Sequence, residues 1–363
     1  MKIEEHNLIE PGFKKNFDFV DTIRCISMMG IVWEHSSAIS IELYTDKSSL
    51  LVQSITLQIF KFASIAFFLI AGFLINHKFQ EYPARQYLKN RFKNTVKPWL
   101  FWVVVFMSIT ILDRLVAYAK GSDGGLLVSD FPLYFYNLTK MILFFSPYWF
   151  ILNFLICISI LLLFKRFLYK IWLGVILGMV SIVYSVNLHY GWFETSHSAA
   201  LFGFVFYLWL GVYLNKYFDQ FRHLINKTPW FVIYTLLLIS LSMALLESFY
   251  LVNLGIKDAY NTLRFTNIIY SLVAFFALFK MGSLSFLKKL KPRQTTYGIY
   301  LIHFIILERV LALIFQPLKL DFSQFSIWVN TGITLGRFLF AYIMSLVLTM
   351  LISKTKMKWI VGQ

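Results

Sequence analysis

Charge is the scarcest property of this 363-residue chain. Asp, Glu, Lys and Arg make up 14% of it, against 58% hydrophobic residues and a mean hydropathy of +0.67. A soluble domain carries about 25% charged residues, so a water-soluble globular fold is excluded. Acidic residues are the rarer sign, 18 against 34 basic, which gives a formal charge of +16. That excess does not point to nucleic acid, because Lys and Arg sit in short loops between apolar runs and form no basic stripe on a soluble fold. Cysteine is nearly missing. Cys25 and Cys157 both lie within apolar runs, so neither a disulfide framework nor a metal-ligand spacing is expected. There is no Gly-rich phosphate loop, no Ser-His-Asp order and no internal repeat. Residues 1–18 are polar and charged, and no small-residue cleavage site follows a short apolar core. No cleavable signal peptide is expected, and the first apolar run acts as its own insertion signal.

Apolar length is what the chain has in abundance. With 39 Phe, 20 Tyr and 10 Trp, it reads as an all-α polytopic membrane protein, its aromatic residues serving lipid-facing surface and interfacial belts. Ten runs approach the ~20 residues that a bilayer-spanning helix needs. They cover roughly 19–39, 52–76, 98–118, 148–165, 171–188, 199–218, 230–252, 263–281, 295–316 and 326–352. The short, proline-bounded aromatic segment 131–147 reads as an interfacial or re-entrant helix. Ten transmembrane helices with N- and C-termini cytoplasmic follow from the charge count. This orientation puts 23 of the 34 Lys and Arg inside, about six outside and five within spans. The expected organisation is a cytoplasmic tail over 1–18, a ten-span membrane domain over 19–352 and a basic cytoplasmic tail over 353–363, with membrane lipids as constant partners.

The first span carries the most informative spacing, Asp21-x-x-Arg24 followed by His35. An Arg inside a membrane costs about 2.5–3.5 kcal/mol on insertion scales, and such residues are mostly kept for function. Asp21, three residues before Arg24, is placed to pair with it. Eleven positions at about 100° bring His35 onto the face of Arg24, about 16 Å further along the axis. In the orientation above, Arg24 lies in the inner half of the bilayer and His35 in the outer half. Two readings stand. In one, His35 is a general base for a hydroxyl, since an imidazole titrates near neutral pH, and Arg24 holds an anionic or polarised group. In the other, Arg24 snorkels inward and His35 is a satisfied polar residue at a helix end.

Other polar positions are equally two-sided. The basic loop 77–97, with Arg91, Lys93 and Lys97, either grips phosphates or anchors to anionic lipid. Trp149 is an interfacial anchor or a contact for a sugar or acyl group. Tyr300 and His303, three apart at mid-membrane depth, share a helix face and line a pocket or close a core hydrogen bond. Glu34, with Glu247, Arg264, Glu308 and Arg309, outlines a polar outer vestibule, although Glu34 lies about 100° around the helix from His35 and need not share its cavity.

The pattern Asp21-x-x-Arg24-x10-His35 in the first of ten spans resembles the signature of the acyltransferase-3 family, bacterial inner-membrane enzymes that acylate extracytoplasmic glycans. Three further segments are similar and in order. Phe67-Phe68-Leu69-Ile70-Ala71-Gly72-Phe73-Leu74-Ile75 closes the second span, with Ala71 where the family usually has Ser. Tyr148-Trp149-Phe150-Ile151 opens the fourth, and Thr296-Tyr297-Gly298-Ile299-Tyr300-Leu301-Ile302-His303 lies in the ninth. One element departs. The family's R-x-x-R reads Arg91-Phe92-Lys93-Asn94 here, so Asn94 takes the second Arg position and Lys93 or Lys97 is left to supply the charge. The resemblance implies a membrane O-acyltransferase that uses acyl-CoA, most often acetyl-CoA, and no metal. The acceptor it implies is a hydroxyl of an extracytoplasmic polysaccharide or glycolipid. It implies catalytic roles for His35, Arg24 and Asp21, donor binding by Arg91, Lys93 and Lys97, and a substrate pocket with Trp149, Tyr300, His303 and Glu34. The alternative of another class is a transporter or flippase for a glycan or lipid-linked sugar, against which stands the lack of paired repeat halves.

Overall fold

The computed structural model describes residues 17–37, 46–196, 200–256, 258–318 and 321–363, and every regular element among them is a helix. Nearly all of the expected tail 1–18, together with Lys257 and Lys319 of the charge count, lies outside the described residues. In chain order the helices are α1 (Asp18–His35), α2 (Lys47–Gln58), α3 (Ala63–Glu81), α4 (Ala84–Arg91), α5 (Lys97–Ala119), α6 (Leu126–Ser129), α7 (Phe131–Phe145), α8 (Trp149–Leu163) and α9 (Ile171–Tyr190). There follow α10 (Val205–Lys216), α11 (Phe218–Lys227), α12 (Trp230–Asn253), α13 (Phe265–Met281), α14 (Ser285–Lys288), α15 (Pro292–Ile305), α16 (Leu311–Phe315) and α17 (Ile327–Ser353). Single π-helical turns join α4 to α5 over Phe92–Val96 and α15 to α16 over Ile306–Val310.

Each of the ten expected runs coincides with one of these helices or with a joined pair. By length and composition, six helices among the described residues are fit to cross a membrane, or seven if the bent pair α7–α8 counts as one. The shortfall from ten has local causes. Helix α1 has 18 residues and carries Asp18, Asp21, Arg24 and Glu34, and α13 has 17 residues. Helix α10 has 12 residues, a rise of about 18 Å against a hydrocarbon core of about 30 Å.

The α7–α8 pair bends by 66° at Ser146-Pro147, where proline removes a donor and ends the ladder. The freed carbonyls are not left bare. Tyr300 donates its hydroxyl to Pro147 O at 2.6 Å and Trp99 Nε1 donates to Tyr148 O at 3.2 Å. Irregular backbone within a membrane protein is tolerated where protein or a cavity receives it, and segment 131–147 meets that condition.

Two apolar clusters build the interior. One is formed chiefly by α3, α8, α9, α10 and α13, the other by α5, α15, α17 and the α7–α8 bend. Helix α3 lies against α10 at glycine contacts. A Cβ at Gly72 would stand 1.9 Å from Leu208 O, and one at Gly211 2.0 Å from Leu69 O, so the approach requires glycine on both sides. Helix α1 contributes Val20 and Ile23 to the first cluster, Met28 and Val32 to the second, and Phe150 packs against both. Helix α1 is thus a seam, and the cavities lie along it.

Candidate active site

Five residues of α1 border cavities: Arg24 and Met28 the first, Ile31 both, and Glu34 and His35 the second. Arg24, Met28, Ile31 and His35 follow the four-three-four spacing of one helix face, as the sequence led us to expect. Glu34 joins His35 in the same cavity, although helical phase alone does not require it. The last turn of α1 is held from several sides. Trp33 Nε1 donates to Thr56 O at 2.9 Å, Ser36 Oγ to Val32 O at 2.6 Å, and Arg337 Nε to Ser36 O at 3.0 Å. His35 therefore projects from a fixed helix end.

The first cavity, of about 440 Å³, is bordered by Arg24, Lys78, Arg91 and Arg293. Asp21 accepts from Arg24 Nη1 at 3.1 Å, which confirms the expected pair. The carboxylate is not itself on the cavity border, so it orients the guanidinium from behind. Arg91 Nε donates to Tyr87 OH at 2.7 Å, its guanidinium 5.1 Å from the Tyr87 ring centroid. The π-helical turn Phe92–Val96 brings Asn94 and Thr95 to the border, and Tyr297 donates its hydroxyl to Thr95 O at 2.5 Å. The same turn leaves Lys93 and Lys97 outside. Both are exposed, neither borders either cavity, and the Lys97 ammonium lies 4.3 Å from the Trp359 ring centroid. Of the three expected donor-binding residues the structure places only Arg91 at this cavity. Arg293 borders the same cavity.

The second cavity, of about 270 Å³, is bordered by Glu34, His35, Asp258, Thr262 and Trp149 beside the Ser146-Pro147 bend. Its carboxylates are satisfied from outside the border. Glu34 is ion-paired with Lys61, and Asp258 accepts from Asn261 Nδ2 at 2.5 Å. Asn261 is braced in turn by Arg264, a fully buried side chain that donates to Asn261 O at 3.1 Å, Ala244 O at 2.6 Å and Gln58 Oε1 at 2.5 Å. One guanidinium thereby ties α2, α12 and the α13 entry together behind the cavity wall. Each bond is charge-assisted, which repays part of the burial.

His303 is fully buried, its ring centroid 5.6 Å from that of His35. Nδ1 lies 2.8 Å from Tyr300 O and 3.2 Å from Ile299 O, and Nε2 has no hydrogen-bond partner among the described residues. A ring nitrogen facing two carbonyls must carry the proton, so Nε2 holds a lone pair. Trp149 packs 5.5 Å from Phe204 and 6.0 Å from Phe150, centroid to centroid, an inward position rather than a lipid-facing anchor. Tyr300 borders both cavities, as do Ile31 and Phe150.

Sequence reasoning passed over Arg293, Asp258 and Thr262, whereas Lys78 belongs to the basic loop 77–97 already read as a phosphate grip. A signal existed for one of them. Arg293, Tyr297 and Tyr300 are spaced four and three on α15 and all border the first cavity, so helical phase links Arg293 to the noted tyrosine. Asp258 and Thr262 lie between α12 and α13, where no period applies.

The arrangement is a cationic pocket and a polar, imidazole-bearing pocket abutting along one helix, α1. No curated protein and no solved structure matches the chain. The model of the acyltransferase-3 family, described as an acyltransferase domain, matches residues 17–354, which include every cavity-bordering residue named above. On this match the chain belongs to the acyltransferase-3 family and is an acyltransferase of the membrane type.

Proposed function

We propose that the chain transfers an acyl group, acetyl in the first instance, from acyl-CoA to a hydroxyl of an extracytoplasmic polysaccharide or glycolipid in the bacterial inner membrane. In this reading the ten helical runs span the bilayer with both ends cytoplasmic. The arginine-bordered cavity then opens inward to the donor and the histidine-bordered cavity outward to the acceptor. The carrying observation is the meeting of two chemically opposite cavities along one helix, with Ile31, Phe150 and Tyr300 on both borders.

Arg91 and Arg293 offer planar forks to phosphate oxygens, and Lys78 adds a point charge. Arg24, oriented by Asp21, holds the inner end of the pantetheine arm near the thioester. His35 takes the proton of the acceptor hydroxyl as its oxygen attacks the thioester carbonyl. The new C–O bond forms, the C–S bond breaks, and the thiolate leaves with the proton returned from His35. His303, with its protonated Nδ1 held by backbone, keeps a lone pair in the neighbourhood of His35 and so favours the imidazolium formed on the way. Glu34, Asp258 and Trp149 suit a sugar, carboxylates accepting from hydroxyls and the indole packing on the ring face.

Purified protein in lipid vesicles with acetyl-CoA and a neutral oligosaccharide tests the reading. Acceptor-dependent thiol release with an acetylated product is expected. Thiol release that ignores the acceptor, or none at all, refutes it.

A further inference from the structure

We propose that Ile31, Phe150 and Tyr300 form a partition that sets the length of acyl chain transferred, limiting it to acetyl and its nearest homologues. The inference rests on the acyl-CoA reading above and specifies the donor within it. Among the described residues these three side chains are the ones that border both cavities. Any donor held by the arginines must therefore present its thioester between them to reach His35, which lies four residues beyond Ile31 on the same helix.

The partition is rigid by construction. Tyr300 is 5% exposed and its hydroxyl is fixed on Pro147 O at 2.6 Å. Phe150 is held among aromatic rings, with centroids at 4.9 Å from Phe68, 5.9 Å from Tyr300 and 6.2 Å from the stacked Phe154. Ile31 is 7% exposed on a helix whose end is tied by Arg337 and Trp33. Close-packed side chains of this kind do not give way for an added methylene without strain.

The space beyond is also committed. The histidine-bordered cavity measures about 270 Å³, just under the ~300 Å³ at which small-molecule sites begin, and the acceptor needs that room. Every methylene past the carbonyl must wedge between Ile31, Phe150 and Tyr300 or displace acceptor. On the donor side the neighbouring walls are apolar, Met28, Phe67 and Phe154, so length rather than polarity decides.

The experiment compares kcat/KM for acetyl-CoA and hexanoyl-CoA, with one acceptor, in wild type, Ile31→Ala, Phe150→Leu, Phe150→Ala and Phe150→Trp. This ratio is independent of how much of each variant folds. Wild type is expected to favour acetyl-CoA by about ten-fold or more, and the three truncations to raise the hexanoyl share by a similar factor, since methylene discrimination in an apolar pocket has this size. Phe150→Trp is expected to lower it. Equal use of both donors by wild type, or an unchanged ratio in the active variants, overturns the partition while leaving acyl transfer intact. Release of no thiol from either donor by wild type refutes the donor reading itself, and the partition with it.

Discussion

The two cavities share one helix and three residues yet are built by opposite means. The arginine-bordered cavity gathers four cations from four helices, α1, α3, α4 and α15, with no acidic residue on its described border. The histidine-bordered cavity carries two carboxylates whose partners sit behind the wall, Lys61 for Glu34 and Asn261 for Asp258. Like charges in a low-dielectric site repel strongly, so this clustering of cations suits the polyanionic donor proposed above. The second is balanced without a ligand and offers ready acceptors to an uncharged, hydroxyl-rich one. The difference teaches where each cavity spends its charge, on binding in one and on architecture in the other.

Substitutions that separate those roles put the contrast at risk. The largest effect is expected from His35→Ala, which should lower acyl-transfer kcat by about 10²–10⁴-fold while the donor KM stays within about two-fold in steady-state thiol-release assays. A parallel rise in donor KM would mean that the cavities do not divide the labour. Lys61→Met removes a partner from behind the acceptor wall. It should destabilise the protein by about 1.5–3 kcal/mol, the worth of a hydrogen bond to a charged group, read as a lower midpoint in thermal unfolding in detergent.

Arg91→Gln tests the opposite prediction for the cationic cavity. It should raise donor KM by about ten- to a hundred-fold, from the same bond energies. The unfolding midpoint without donor should fall less than in Lys61→Met, because relieved repulsion offsets the lost bond to Tyr87. A drop like that of Lys61→Met would erase the distinction. The smallest effect lies outside both cavities. The Asp46 carboxylate caps α2, and hydrogen bonds from Ser49 and Ser48 hold its pKa down at about 2, from an ordinary 3.8. A depressed folded pKa stabilises above the ordinary value and is lost as pH falls through the folded one, so α2 capping should weaken between about pH 4 and 2. Unfolding midpoints of Asp46→Asn should lack that component, and an identical acid profile in both proteins would refute it.

Much of the candidate site was legible because it is local. Asp21 with Arg24, and Arg24 with His35, obey helical phase, and the structure shows the pair at 3.1 Å and the shared face. The family elements placed Tyr300, Trp149 and Arg91 on cavity borders for the same reason, each lying at a fixed position on its own helix. Lys93 and Lys97 failed that logic because a π-helical turn resets the phase between α4 and α5, and no run of apolar residues announces such a turn. Glu34 borders the cavity of His35 although it lies on another face, because a cavity at a helix end takes side chains from more than one face. The span count is split likewise. Every apolar run became helix, but α10 with 12 residues shows that apolar composition over twenty positions does not guarantee twenty helical ones.

Composition and period alone determined a helical membrane protein with an ion pair and an imidazole on one face of its first helix, since both depend on neighbours within a few turns. Tertiary structure decided which cations face which acids. Lys78 and Arg293 join Arg24 and Arg91 because α1, α3, α4 and α15 converge, and Asp258 shares a cavity with His35 where Arg264 ties the α12–α13 connection to α2. Contacts between residues hundreds of positions apart are set by packing across a seam, and no local rule in a one-dimensional string encodes them.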